Sequence, residues 1–426
     1  MQEDLLHFIW KTKKLQTHHL KTVLGASVVI ESLGLHNEGS GPDFFNARLQ
    51  IGGQLWAGNV EIHVKASDWH AHKHSQDGNY DNVILHVVWE HDADVFRKDG
   101  TLIPTLCLKD YISIALLDAY SGLFRNRTNK EINCDAYLGQ VPSLLWHNWL
   151  DRLFIERMEV RSGLVLELLR DYKNDWERVM FLMMFKNFGS KINGPLFLEI
   201  GRKIDFAIVR KLNGHAFQME ALFMGMAGLL QNGPEKDTYF NALQKEFSYL
   251  LQKFQLAPIV GSTPEFFRLR PANFPTIRLA QLACIYAEDH NIFQKLLHGR
   301  REEIKECFHV SLHPYWETHY NFGQKSPKKK KPISGTFIDL LMINTIFPLR
   351  FCYAKETGGA YSEKEWGLLQ EIKAERNAIM KTYSKLQVVP ANARESQALL
   401  HLHQNYCTKN KCLQCAVGAS LLNLKS

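Results

Sequence analysis

The sequence is short of every feature that marks a specialised class of protein. Its 14 prolines and 27 glycines among 426 residues give neither a collagen repeat nor a low-complexity chain. Eight cysteines are too few for a disulfide scaffold of this length. Five of them (Cys107, Cys134, Cys284, Cys307 and Cys352) stand alone in apolar sequence, as in a reducing compartment. No long apolar run is free of polar residues. The best, Phe337 to Ala354, is interrupted by Asp339, Asn344, Pro348 and Arg350. A bilayer span needs about 20 mostly apolar residues, so this stretch is expected to be a buried helix, with no membrane partner. The N-terminus sets Glu3 and Asp4 before its first apolar residues and has no small-residue cleavage site, which predicts a cytoplasmic protein. Charge of one sign is scarce too. A net charge of +7 permits an anionic partner such as nucleic acid but does not demand one.

What is present is an ordinary apolar fraction, 45%, in a chain long enough for more than one folding unit. The expected fold class is α+β: an N-terminal mixed sheet with flanking helices, then a large, mainly helical region. Residues 4–35 show helical periodicity, with Leu5, Leu6, Ile9 and Trp10 on one stripe and Val23, Val28, Val29, Ile30 and Leu33 further on. FNARLQIGGQLWAGNVEIHVKAS reads as two alternating strands turning at Gly52-Gly53. A polar segment with a Ser-Asp helix-start signal follows. VILHVVWEH then suits a strand buried on both faces, and TLIPTLCLKDYI another strand. From about 140 to 310 the apolar spacing is helical. The expected divisions are 1–135 (α/β), 136–324 (helical), 325–335 (a flexible lysine-rich loop containing Lys328 to Lys331) and 336–426 (helices with a Cys/His cluster).

Along Val60-Glu61-Ile62-His63-Val64-Lys65, alternation sends Glu61, His63 and Lys65 to one face and Val60, Ile62 and Val64 to the core. Ionisable groups on a central strand need a partner or a metal. Asp43, just before the paired strand, is placed to meet Glu61. Two converging carboxylates make a hard, oxygen-rich site suited to Mg²⁺ or Mn²⁺. Such an ion can acidify a water and neutralise charge developing at phosphorus.

Pro42-Asp43, a gap of 17 residues, and Glu61-Ile62-His63 on this order of elements resemble the PD-(D/E)xK superfamily, the restriction-endonuclease-like fold, over about residues 1–115. The resemblance implies that Asp43 and Glu61 hold the metal and that Glu31, near the end of the first helix, matches an extra acid some members carry. His63 stands where the family usually has lysine. Either His63 or Lys65 would then handle the attacking water. The whole chain also resembles an uncharacterised bacterial family known only as a domain of unknown function, through GPDFFNARLQIGG, GNVEIHVKASDWHAHKH, FRLRPANFPTIRLAQLA and YCTKNKCLQCAVG among other stretches.

Histidine is the over-used residue. His63, His70, His72, His74, His86 and His91, six of 19, fall between positions 63 and 91. His72 and His74 are candidate catalytic assistants at a scissile phosphate. With His63 and Asp77 they are alternatively ligands for zinc. Further along, FRLRPANFPTIR supplies Arg268, Arg270 and Arg278 as candidate nucleic-acid contacts, with forked donors that match phosphate, or else as a polar clamp between helices. His401, His403, Cys407, Cys412 and Cys415 read H-x-H-x3-C-x4-C-x2-C. Three thiolates with His403 or His401 would bind structural zinc. An iron–sulfur cluster usually takes four cysteines, the fourth being Cys134 or Cys352 brought close in space. The expected function is a metal-dependent nuclease. The alternatives are a zinc-dependent hydrolase built on the histidines, or a catalytically silent, nuclease-like scaffold that binds nucleic acid or protein.

Overall fold

The computed structural model describes residues 1–124, 132–259, 261–288, 291–359 and 363–423. The chain forms two compact units. One contains 1–149, 382–388 and 402–426, and the other 150–381 and 389–401.

The first unit opens with helix α1, Glu3–Thr12. Acids in its first turn and Lys11 in its last suit the helix dipole. Leu5, Leu6, Phe8, Ile9 and Trp10 are its buried residues. The helical reading fails beyond it. Residues 20–36 form short strands instead: β1 (Leu20–Lys21), β2 (Ser27–Ser32) and β3 (Leu35–His36). The β-branched run Val28-Val29-Ile30 pairs with a later strand, a non-local gain that outweighs local apolar spacing. Glu31 therefore lies on β2, exposed, and not at a helix end.

The predicted hairpin is present as β4 (Phe44–Ile51) and β5 (Gln54–Lys65). Gly52 (φ 59°) and Gly53 (φ 85°) occupy left-handed conformations that other residues resist. The crossover 66–82 holds a short helix, α2 (Asp68–Ala71), and two single turns, and delivers β6 (Val83–Glu90) parallel to β5. β7 (Thr105–Cys107) adds parallel to β6. The sheet order is β1-β2-β4-β5-β6-β7, with β3 also paired to β4. β5 is thus central, flanked by one antiparallel and one parallel neighbour. Trp69, Tyr80, Val83, Val95 and Ile103 form an apolar cluster beside the crossover.

The second unit is predominantly helical, with a phenylalanine-rich core. Phe181 lies against Phe185, Phe206, Phe223 and Tyr286 with ring centroids 4.7–6.1 Å apart. The apolar stretch read as a buried helix is helical from Gly335 to Glu356, and 67% of its most apolar window is buried within the protein. Two of the polar residues that interrupt it are paired. Arg350 donates to the carbonyls of Leu296 (2.8 Å) and Gly299 (2.7 Å). Asn344, whose carbonyl Pro348 leaves without an N–H donor, receives Asn187 Nδ2 at 3.4 Å. The lysine-rich loop is less free than its composition implies. Lys331 is buried, and its ammonium donates to the carbonyls of Trp316 and Glu317.

Candidate functional site

Register brings the carboxylates together. Phe44 pairs with Val60, so Asp43 and Glu61 are neighbours across the hairpin. Glu61 Oε2 accepts the Asp43 N–H at 3.1 Å, and Asp43 Oδ2 accepts the Ile62 N–H at 2.9 Å. Irregularities between Phe44 and Ala47 on β4, and between Asn59 and Val60 where β5 meets β6, lie next to the pair on its turn-ward side. Bulges of this kind re-aim side chains beside functional sites.

Both faces of β5 are buried here. Val60 and Ile62 are fully enclosed, but so are the opposite residues, with Glu61 5% and His63 1% exposed. The crossover packs His72 and His74 over that polar face. His63 Nε2 lies 3.1 Å from His72 Nδ1, and Glu61 Oε1 lies 3.5 Å from His63 Nε2 and 3.3 Å from His74 Nε2. One nitrogen from each of the three histidines can be chosen so that all lie within 4.8 Å of one another. His74 stacks on Tyr80 at 3.8 Å, and Trp69 meets it edge-on at 5.3 Å. Behind His63, its Nδ1 lies 2.8 Å from His86 Nε2 on β6. With Nδ1 bonded to His86, His63 can keep Nε2 as a lone-pair donor toward the cluster.

The electrostatics are set by burial. Burial pushes the Glu61 carboxyl up to about 9, and the adjacent Asp43 charge adds to this. Burial, reinforced by His74 and His72, pushes His63 down to about 3. Burial and His63 push His86 far down, and burial also lowers His74. His63, His74 and His86 are therefore neutral at pH 7, the state in which imidazole binds metal. His74 Nε2 is buried and makes no aligned hydrogen bond despite its closeness to Glu61.

These donors fit a metal ion. Zinc–nitrogen bonds of about 2.0–2.1 Å in a tetrahedron imply ligand–ligand edges of about 3.3 Å. The His63–His72, Glu61–His63 and Glu61–His74 contacts, at 3.1–3.5 Å, are close to that, and the three imidazole nitrogens as a set lie within 4.8 Å. Imidazole-rich sites favour zinc and its transition-metal neighbours over Mg²⁺.

Two residues of this neighbourhood were not among the candidates. Glu3 and His7 sit one turn apart on α1, and His7 Nε2 lies 3.8 Å from Glu3 Oε1 and 3.3 Å from Asp43 Oδ2. Burial opposes protonation of His7, but the Asp43 contact and the Glu3 charge outweigh it and hold His7 above its usual range. The i, i+4 Glu-His spacing was visible in sequence. Nothing local tied it to a strand 36 residues on. Lys65 stands apart from the histidines. It is exposed at the end of β5, and its charge acts on Asp92.

The arginine motif, in the second unit, divides. Arg268 and Arg270 are exposed. Arg278 is 5% exposed, donates to Gln281 Oε1 (2.8 Å) and Asn273 Oδ1 (2.6 Å), and lies 3.5 Å from the Phe337 ring centroid. It clamps helices and is withdrawn from any phosphate. His401 is also occupied elsewhere, 3.4 Å from Glu156 Oε2. His403 faces Tyr383 edge-on at 6.4 Å.

Residues 3–378 match the family described as "Protein of unknown function (DUF2851)", and the chain belongs to that family. No curated protein and no solved structure matches it.

Proposed function

We propose that the first unit is a metal-dependent hydrolase of phosphodiester bonds, with nucleic acid as its substrate class. The observation that carries this is the meeting of Asp43, Glu61, His63, His72 and His74 at the middle of a mixed sheet. Helix, antiparallel hairpin, crossover and parallel strand occur in the order expected of a restriction-endonuclease-like core. Glu61, His63, His72 and His74 would hold the ion, with Asp43 beside them. A divalent cation there supplies Lewis acidity and charge neutralisation. The protein's own contribution is placement. The Ile62 N–H fixes Asp43, the Asp43 N–H fixes Glu61, and His86 fixes His63. His7, held near its charged form by Asp43, is the nearby group with a proton to give a leaving oxygen. His72, the exposed member of the trio, marks the solvent side from which substrate would approach.

Plasmid nicking with Mn²⁺ or Zn²⁺ tests the reading. Wild type is expected to nick, while Asp43→Ala and Glu61→Ala lose about 100-fold or more. Equal nicking by all three would remove the assignment. The second reading, a zinc hydrolase of small substrates, is favoured by three imidazole nitrogens lying within 4.8 Å of one another. Stoichiometric zinc with cleavage of small esters and no attack on DNA or RNA would select it.

A further inference from the structure

Within the first unit, and independent of the histidine site, the chain returns to a cysteine it left some 270 residues earlier. Asn133 Nδ2 donates to Asn410 Oδ1 (3.0 Å) and reaches Cys412 Sγ (3.5 Å). The next residue, Cys134, is thereby set among Cys407, Cys412 and Cys415. The field of each of the three reaches its sulfur. Helix Ile114–Phe124 packs against helix Ala416–Asn423, which holds the two ends of this closure in place.

Each thiol is presented by a distinct local device. Cys407 ends a π-helical turn, His403–Cys407, of the kind that often marks functional sites, and its sulfur lies 3.6 Å from the Tyr383 hydroxyl. Cys412 and Cys415 are joined by a turn in which the Cys415 N–H donates to the Cys412 carbonyl at 3.3 Å. That carbonyl lies on Gly418, where a Cβ would stand 2.1 Å from it, so only glycine admits the fold of this loop onto the helix. At the helix start, the N–H groups of Val417 and Gly418 donate to the Cys415 sulfur. These bonds oppose, but do not overcome, the burial that raises the Cys415 thiol to about 11. Cys412 and Cys415 are buried, and Cys134 and Cys407 are half-buried.

The spacing discriminates between ligands. A single zinc with bonds of about 2.3 Å draws its thiolates to within about 3.8 Å of each other. Among the described residues, no three of these sulfurs gather within 4.8 Å. Four cysteines spaced more widely than one zinc requires suit a cluster whose irons each take one thiolate. We infer that Cys134, Cys407, Cys412 and Cys415 bind a four-iron iron–sulfur cluster, with Cys134, and not His403, as the fourth ligand. Each thiol gives up its proton as its sulfur bonds an iron.

The test uses the full chain, purified and reconstituted without oxygen, with iron, acid-labile sulfide and zinc measured per chain. The expected result is about four irons and four sulfides, with a broad absorbance in the visible. Cys134→Ser should lose most of the iron, while His403→Ala and Cys107→Ser, whose thiol lies against the Trp89 carbonyl, should keep it. One zinc and no iron in wild type overturns the proposal, as does wild type that binds neither. Iron retained by Cys134→Ser but lost by His403→Ala also overturns it. The wild-type stoichiometry decides the matter even if a variant fails to fold, and no readout depends on hydrolysis.

Discussion

The two units bury ionisable groups in opposite ways. In the helical unit, buried charge meets its complement. Arg278 donates to Gln281, and Gln281 in turn donates to the Lys331 carbonyl. The Glu220 carboxyl, fully enclosed, accepts from Trp316 Nε1 (2.8 Å) and Tyr239 Oη (2.9 Å). In the sheet unit, buried groups also meet their own kind: imidazole lies against imidazole, and Glu61 lies beside Asp43 as well as His63 and His74. Complementary pairing is what a structural network needs. Like groups held together against their electrostatics are what a ligand site needs. This contrast separates Arg278, a clamp, from His74, which we propose as a ligand, although both are polar residues in aromatic surroundings.

The contrast can be broken most forcefully at Arg278. Arg278→Ala should destabilise the helical unit by about 3 kcal/mol in urea unfolding, because Gln281 Oε1 loses its donor and a cavity opens beside Phe337. Arg278→Lys should not restore the loss, since an ammonium lacks the planar fork. A change below about 1 kcal/mol would mean the network is not structural.

Glu220 gives a pH-dependent effect of similar or smaller size. Burial raises its folded pKa from 4.5 to about 7, against the opposing pull of its two hydrogen bonds. The folded state therefore binds the proton more tightly than the unfolded state. Stability from this group is full below about pH 4.5, declines as pH rises through about 7, and changes little above that. The loss is up to about 3 kcal/mol, taking about 1.4 kcal/mol per pKa unit. Glu220→Gln should remove the slope, leaving the variant more stable than wild type at pH 8 and comparable at pH 5. Parallel stability–pH curves for the two proteins would contradict this.

The smallest expected effect sharpens the comparison from the other side. Glu61 in the metal-free protein is held protonated near neutral pH, so Glu61→Gln should alter metal-free stability by less than about 1 kcal/mol. Its zinc affinity by titration calorimetry should nonetheless fall by about 100-fold, as an amide is a poor metal ligand. A large stability loss with unchanged affinity would place Glu61 among the structural groups.

The hairpin, the alternation along β5 and the buried run of β6 were legible because each is a local period of two interrupted by turn residues. Asp43 beside Glu61 followed from that hairpin. Residues 20–36 were not legible. Their apolar spacing is compatible with a helix, and only the partner strand β4 decides otherwise. The same limit hid Glu3 and His7 from Asp43, and put Arg278 in the core while Arg268 and Arg270 stayed outside.

Residue type and short-range order by themselves determined that acids and imidazoles alternate with core residues on one strand, and that three thiols lie within nine positions of one another. Tertiary structure alone decided which distant groups join them: His86 from the parallel strand, His7 from the first helix, Cys134 from across the chain. The reason is one of range. Alternation and turn chemistry act over a few bonds, whereas the burial that shifts a carboxyl or an imidazole exists only once remote segments have closed over it.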